Sequence, residues 1–268
     1  MKLFRRVVLG VVGLLLAFVF FLVGSVAVDA WLTRDRVAGL VNTEIANPAG
    51  RAVGAYVARP ATPAADGRGL PVVIMLHEFW GLKPELLGKA DALAEEGYVV
   101  VAPDMFRGQT TTWLPRAIYQ ALSIPEEQVL GDLELVLAWV RQLPDIDPAR
   151  VVIMGFCYGG SKALQFSLRN DQVAATGVFY GALESDPARL SRLPGPVLGI
   201  FGALDRAPSP EQVAAFELGL QAAGVEHEIT VYDGVGHAFL TDMAAIRQGG
   251  TQGAAWAQFV TWLGRVVP

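Results

Sequence analysis

Hydrophobic positions along the chain fall into three patterns. An uncharged run of 22 residues, Val7 to Val28, follows Lys2, Arg5 and Arg6. At a rise of about 1.5 Å per residue it spans a hydrocarbon core of about 30 Å. Beyond it, short continuous apolar runs at residues 70–78, 98–104, 150–156, 175–180, 196–201 and 227–232 read as buried strands. Residues 51–59 alternate loosely and predict an edge strand. Between these lie helical stretches at 84–96, 125–143, 159–168, 210–223 and 254–266. In the second, Leu133, Val136, Leu137 and Val140 recur at helical spacing.

Punctuation agrees with the periodicity. Gly97 and Gly224 stand where two helices must stop, and Pro125 with Glu126 and Glu127 opens a third. Residues 60–69 form a turn-rich connection, and residues 105–124 read as irregular and rich in aromatic residues. Apolar strands alternating with helices predict an α/β fold, a doubly wound and mostly parallel sheet with helices on both faces. Residues 51–268 make one such domain, 31–50 a linker, and 1–30 a membrane anchor or signal segment. Cleavage near residues 25–30 would leave a secreted or periplasmic protein. The run is longer than the usual signal core, which favours an anchor, and the basic flank favours a cytoplasmic N-terminus with the domain exported.

Composition narrows the chemistry. A net charge of −5 provides no basic footprint, so nucleic acid is not an expected partner. No spacing of histidines, cysteines and acids suggests a metal site, and no Gly-x-Gly-x-x-Gly follows a strand. No cofactor is expected. The chain has one cysteine, so no internal disulfide forms. That cysteine, Cys157, sits in "GFCYG" at 155–159, between a strand and a helix. This is the Gly-x-nucleophile-x-Gly form of a nucleophile elbow. The turn is tight enough to exclude Cβ atoms beside the nucleophile, and the following helix N-terminus favours thiolate.

Functional groups in such sheets gather past the carboxyl ends of strands. Glu78, Cys157, Asp205 and His237 all fall there. The order nucleophile, acid, histidine is that of the α/β-hydrolases. Cys157 would attack, His237 would act as base and then acid, and Asp205 would orient the imidazole. The Tyr158 N–H, next after the nucleophile, would be one oxyanion donor. His77 reads as the end of a strand.

Taken with "HEFWG" (77–81), "VVAPDMF" (100–106), "MGFCYGG" (154–160), "GALD" (202–205) and "GVGHAF" (234–239), the sequence resembles the dienelactone hydrolases. The resemblance implies the α/β-hydrolase fold and a cysteine in place of the serine nucleophile. It implies that Phe79 supplies the second oxyanion N–H and that Glu78 restrains the resting thiol until substrate arrives. It also marks two departures. The family grips its substrate carboxylate with two arginines; Gly108 and Thr241 occupy those positions here, with Arg107 one residue early. Trp80, Arg107 and Tyr180 are candidate pocket residues. The expected substrate is a small ester, lactone or thioester, and the expected membrane contact is the N-terminal helix. A general carboxylesterase unrelated to dienelactone, or a silent membrane-tethered binding protein, remains open at this point.

Overall fold

A computed structural model describes residues 2–48, 50–62 and 67–268. Part of the predicted connection at 60–69 therefore lies outside the described residues. The first element is helix α1 (Lys2–Thr33), followed by strands β1 (Thr43–Ile45), β2 (Val53–Ala58) and β3 (Leu70–Leu76). Then come α2 (Pro84–Glu95), β4 (Val99–Pro103), α3 (Leu114–Ser123), α4 (Glu126–Val140), β5 (Ile146–Phe156) and α5 (Tyr158–Ser167). The rest is β6 (Ala175–Phe179), α6 (Pro187–Leu190), β7 (Val197–Gly202), α7 (Pro210–Ala223), β8 (His227–Tyr232), α8 (Met243–Arg247) and α9 (Gly250–Val266).

All eight strands join one sheet in the order β1-β2-β4-β3-β5-β6-β7-β8. From β4 to β8 the pairing is parallel, whereas β2 runs antiparallel to both β1 and β4. The continuous apolar strands follow from burial on both faces. In β3, Val73 and Met75 enter the core on one face, while Val72, Ile74 and Leu76 enter the other. Helices α2 and α9 cover the first face, through Leu86, Leu93, Phe259 and Trp262 among others. Helix α4 covers the second with Val129, Leu133, Val136, Leu137 and Val140. Each such side chain, taken fully from water, contributes about 1.5–3 kcal/mol before conformational entropy is subtracted.

Three readings of the sequence change. The strand expected at the edge, β2, is covered by β1, which lies within the segment read as a linker, 31–50. Three residues give too short an alternation to read. The segment 105–124, expected to be irregular, contains α3. Its buried residues are Arg116, Ala117 and Gln120, so polar groups face the protein and the usual apolar stripe points outward. The short helices α6 and α8 also escape a periodicity argument, because neither has two full turns.

Helix α1 is long and apolar enough to cross a membrane. Such a helix suits a membrane anchor or a signal sequence. It is not separate from the domain, however. Asp29 accepts from Arg116 at 2.8 Å and from the Thr111 hydroxyl at 2.6 Å, and the Trp113 indole donates to Ser25 at 3.1 Å.

Gly159 and Gly224 allow a test of how tightly the strand-to-helix turn is packed. A Cβ on Gly159 would lie 2.4 Å from the Leu76 carbonyl oxygen, whereas one on Gly224, at φ +70°, meets open space. Gly159→Ala is expected to cost more than about 3 kcal/mol and Gly224→Ala about 1 kcal/mol. Thermal unfolding of the detergent-solubilised chain measures both; equal shifts in midpoint would contradict the packing described.

Candidate active site

The site is assembled by neighbouring strands. Strands β3, β5, β6, β7 and β8 are adjacent in that order, and Glu78, Cys157, Tyr180, Asp205 and His237 follow their respective carboxyl ends. Residues far apart in the chain therefore meet along one rim of the sheet.

Cys157 has φ +53° and ψ −113°, between the end of β5 and the start of α5. A non-glycine residue in such a conformation costs on the order of 1–3 kcal/mol and persists only where its surroundings enforce it. Here they do. The Cys157 N–H donates to the Phe179 carbonyl at 2.9 Å, and the Cys157 carbonyl accepts from the Ser161 N–H at 3.1 Å. A Cβ on Gly155 would lie 2.3 Å from the Gly159 carbonyl carbon. The two glycines of "GFCYG" are thus required by backbone contact, as the sequence predicts.

His237 Nδ1 donates to Asp205 Oδ2 at 2.7 Å. Asp205 is buried, and its other oxygen accepts from the Ala207 N–H at 2.9 Å, which fixes the carboxylate plane. Tyr180 packs its ring edge-on to the imidazole, with centroids 5.3 Å apart. The Tyr180 ring is buried, with φ +40°, so it backs the histidine instead of lining open space.

The thiol is held strongly protonated. Burial is the main cause, followed by the Glu78 carboxylate, and together they push the Cys157 pKa up to about 12. Hydrogen bonds from the Tyr158 and Phe79 N–H groups act in the opposite direction. The helix N-terminus at Cys157 thus does not produce the resting thiolate that the elbow alone suggests; desolvation and a neighbouring carboxylate prevail. Glu78 is itself raised by burial, against the pull of Lys89, His237 and Lys83. It stands within electrostatic reach of both the thiol and the imidazole.

The Glu78 loop is braced from below. His77 is buried, donates from Nδ1 to the Glu78 carbonyl at 2.7 Å and accepts from the Met105 N–H at 3.1 Å. Burial pulls its pKa down to about 4, so the imidazole is neutral and serves as a strut. Phe79 and Trp80 lie against each other with centroids 4.5 Å apart. The Phe79 carbonyl accepts from Gln120 Nε2 at 2.7 Å.

Beside Glu78 lies a cavity of about 200 Å³, whose lining includes Trp80, Lys83, Lys89, Phe156, Ala238 and Thr241. Lys89 is buried, donates to the Thr241 carbonyl at 2.5 Å and has its pKa lowered to about 8, chiefly by burial. Lys83 lies over the Trp80 ring at 5.0 Å. Sequence reasoning missed both lysines. The available signal was a lone lysine, Lys89, inside the apolar face of α2. Arg107, by contrast, is not brought to this cavity. It forms two hydrogen bonds to Asp132 on α4, at 3.0 and 2.7 Å, and borders a separate surface depression. A guanidinium so matched to a buried carboxylate is a structural partner, not a candidate clamp.

Comparison with known proteins agrees with this architecture. Residues 53–267 match the profile of the dienelactone hydrolase family. A protein of Escherichia coli O157:H7 named "Putative carboxymethylenebutenolidase" is 32% identical over 222 residues, covering 78% of this chain and 80% of its own. A protein of the same name from Salmonella typhimurium is also 32% identical, with 78% and 81% covered. The crystal structure of a "Putative Dienelactone Hydrolase" from Klebsiella pneumoniae superposes with a TM-score of 0.72 at 30% identity, over 83% of this chain and 96% of that one. The sheet order and these likenesses converge: the chain is a hydrolase that belongs to the dienelactone hydrolase family.

Proposed function

We propose that the protein cleaves a small carboxylic ester, lactone or thioester through a Cys157–His237–Asp205 triad and an acyl-cysteine intermediate. The observation that carries this reading is the Asp205–His237 hydrogen bond at 2.7 Å on the same rim as the strained Cys157. Substrate binds with its carbonyl oxygen toward the Tyr158 and Phe79 N–H groups. His237 takes the thiol proton as sulfur attacks the carbonyl carbon, and the two N–H groups hold the resulting oxyanion. The intermediate collapses, His237 returns the proton to the departing oxygen or sulfur, and an acyl-cysteine thioester remains. Water, deprotonated by His237, then attacks the thioester and frees the acid. Asp205 keeps the proton of the imidazole on Nδ1 and stabilises the imidazolium.

Glu78 acts before chemistry. Burial chiefly, and the Glu78 carboxylate in addition, disfavour thiolate at the sulfur, so the resting enzyme holds a protonated and poorly nucleophilic thiol. Substrate that displaces the carboxylate releases the Glu78 share of this restraint. With Gly108 and Thr241 where the family places arginines, and Arg107 bound to Asp132, the family's carboxylate clamp is not reproduced. The cavity of about 200 Å³ is lined by Glu78 and by Phe156 and Ala238, the chain neighbours of Cys157 and His237, and so adjoins the proposed site.

We also infer that α1 remains attached as a membrane anchor. Cleavage after Ala30 would remove Asp29, the carboxylate that pairs with the buried Arg116 guanidinium, and cleavage after Ala27 would leave Asp29 as the second residue of a fraying chain end. Leaving a buried cation without its carboxylate costs on the order of 3–5 kcal/mol.

Hydrolysis of an aryl ester tests the triad. Cys157→Ala is expected to lower kcat/KM by about a thousandfold or more and Asp205→Asn by about a hundredfold or more. Rates equal to the parent enzyme would refute the triad. Iodoacetamide alkylation of the free enzyme tests the restraint. Alkylation should be slow at neutral pH and rise steeply toward alkaline pH. Glu78→Gln should speed it roughly threefold to tenfold by removing the charge that disfavours thiolate. Unchanged alkylation would rule out restraint by Glu78.

A further inference from the structure

Outside α1, the exposed large hydrophobic side chains of the described residues are concentrated in one place. Trp113, Leu114, Ile118, Tyr119 and Leu122 lie in a single stretch, against only Leu204, Leu218 and Val231 elsewhere. Leu114, Ile118, Tyr119 and Leu122 are spaced to share one face of α3. Leu122 is 81% exposed, while Arg116, Ala117 and Gln120 face inward. A helix that hides an arginine and a glutamine and presents leucine, isoleucine and tyrosine is oriented for an apolar surrounding.

The position of α3 identifies that surrounding. It packs on the C-terminal part of α1, through the contacts of Ser25, Asp29 and Thr33 with Trp113, Thr111 and Arg116. The apolar run of α1 ends at Val28, so these contacts lie where a spanning helix leaves the hydrocarbon. An open groove of about 500 Å³ between the two helices is lined by Leu22, Val23 and Val26 of α1 and by Pro115 and Tyr119. Apolar side chains of α1 thus face Pro115 and Tyr119 of α3 across this groove, with Gln109 and Arg116 also in its lining. Tryptophan and tyrosine at this level match the amphipathic belt of a bilayer interface.

We infer that α3 is an interfacial helix that seats the catalytic domain on the lipid bilayer, its apolar face sunk among the upper acyl chains. This rests on the reading of α1 as a membrane anchor. It goes further by fixing which face of the domain meets the lipid. The consequence reaches the site. Gln120 of α3 holds the Phe79 carbonyl at 2.7 Å, and the Thr111 N–H donates to the Trp80 carbonyl at 3.0 Å. The loop carrying Glu78, Phe79 and Trp80 is thus fastened to the helix that touches lipid.

Spin labels on the full chain in phosphatidylcholine–phosphatidylglycerol liposomes test this. Labels are placed by Leu14→Cys, Leu122→Cys or Leu218→Cys, each in a Cys157→Ser background, and their collisions with oxygen and with a water-soluble nickel chelate are measured. The Leu122 site should be reached by oxygen and lose nickel collisions roughly fivefold or more relative to Leu218, following the Leu14 site in α1. If Leu122 matches Leu218 while Leu14 is in the bilayer, the anchor stands and the seat is refuted. If Leu122 is shielded from both reagents, protein covers α3 and the lipid seat is equally refuted. If Leu14 itself collides freely with nickel, the anchor fails and the seat falls with it.

Discussion

The close backbone approach at the end of β5 is the constraint on which the rest depends. Gly155 and Gly159 nearly touch, and a Cβ on Gly159 would lie 2.4 Å from the Leu76 carbonyl oxygen. That contact forces the chain from strand to helix within one residue and leaves Cys157 at φ +53°. The strain, on the order of 1–3 kcal/mol, is supported by a sheet whose inner strands are buried on both faces. In return, one side chain stands at the rim, its place fixed by the backbone on either side.

The sulfur sits under opposing influences. Two N–H groups and a helix N-terminus favour negative charge there; burial and the Glu78 carboxylate disfavour it and prevail in the resting structure. The same N–H groups are the donors assigned to the oxyanion, so the charge they favour belongs to the reacting state. The buried Lys89 and the nearby Lys83 moderate the cost of keeping Glu78 in a partly buried pocket. The network thus runs from α2 through Glu78 to the thiol, and from α3 through Gln120 to Phe79.

Much of this was legible in the sequence because it is written in short-range rules. The inner strands are continuous apolar runs, the elbow is two glycines around a cysteine, and the order of Cys157, Asp205 and His237 follows one strand after another. What was hidden depends on long-range contacts. Helix α3 turns its apolar side outward, so a rule that assigns apolar faces to the core could not find it. Strand β1 is only three residues long. Arg107 sits one residue before a clamp position of the family, and its role is set by Asp132, 25 positions away in sequence. Lys89 reads as an interruption of a helix face, and its meaning lies in Glu78 and Thr241 across the cavity.

The central claim is that Cys157 carries the acyl group. Rapid acid quenching after mixing the full-length enzyme with an activated aryl ester, followed by peptide mass spectrometry, tests it most directly. The account predicts a transient peptide containing Cys157 that is heavier by the mass of one acyl group minus one hydrogen. It further predicts that the adduct decays as acid product appears. An acyl group on any other residue, or turnover with no adduct at Cys157 under conditions that slow deacylation, would contradict the account.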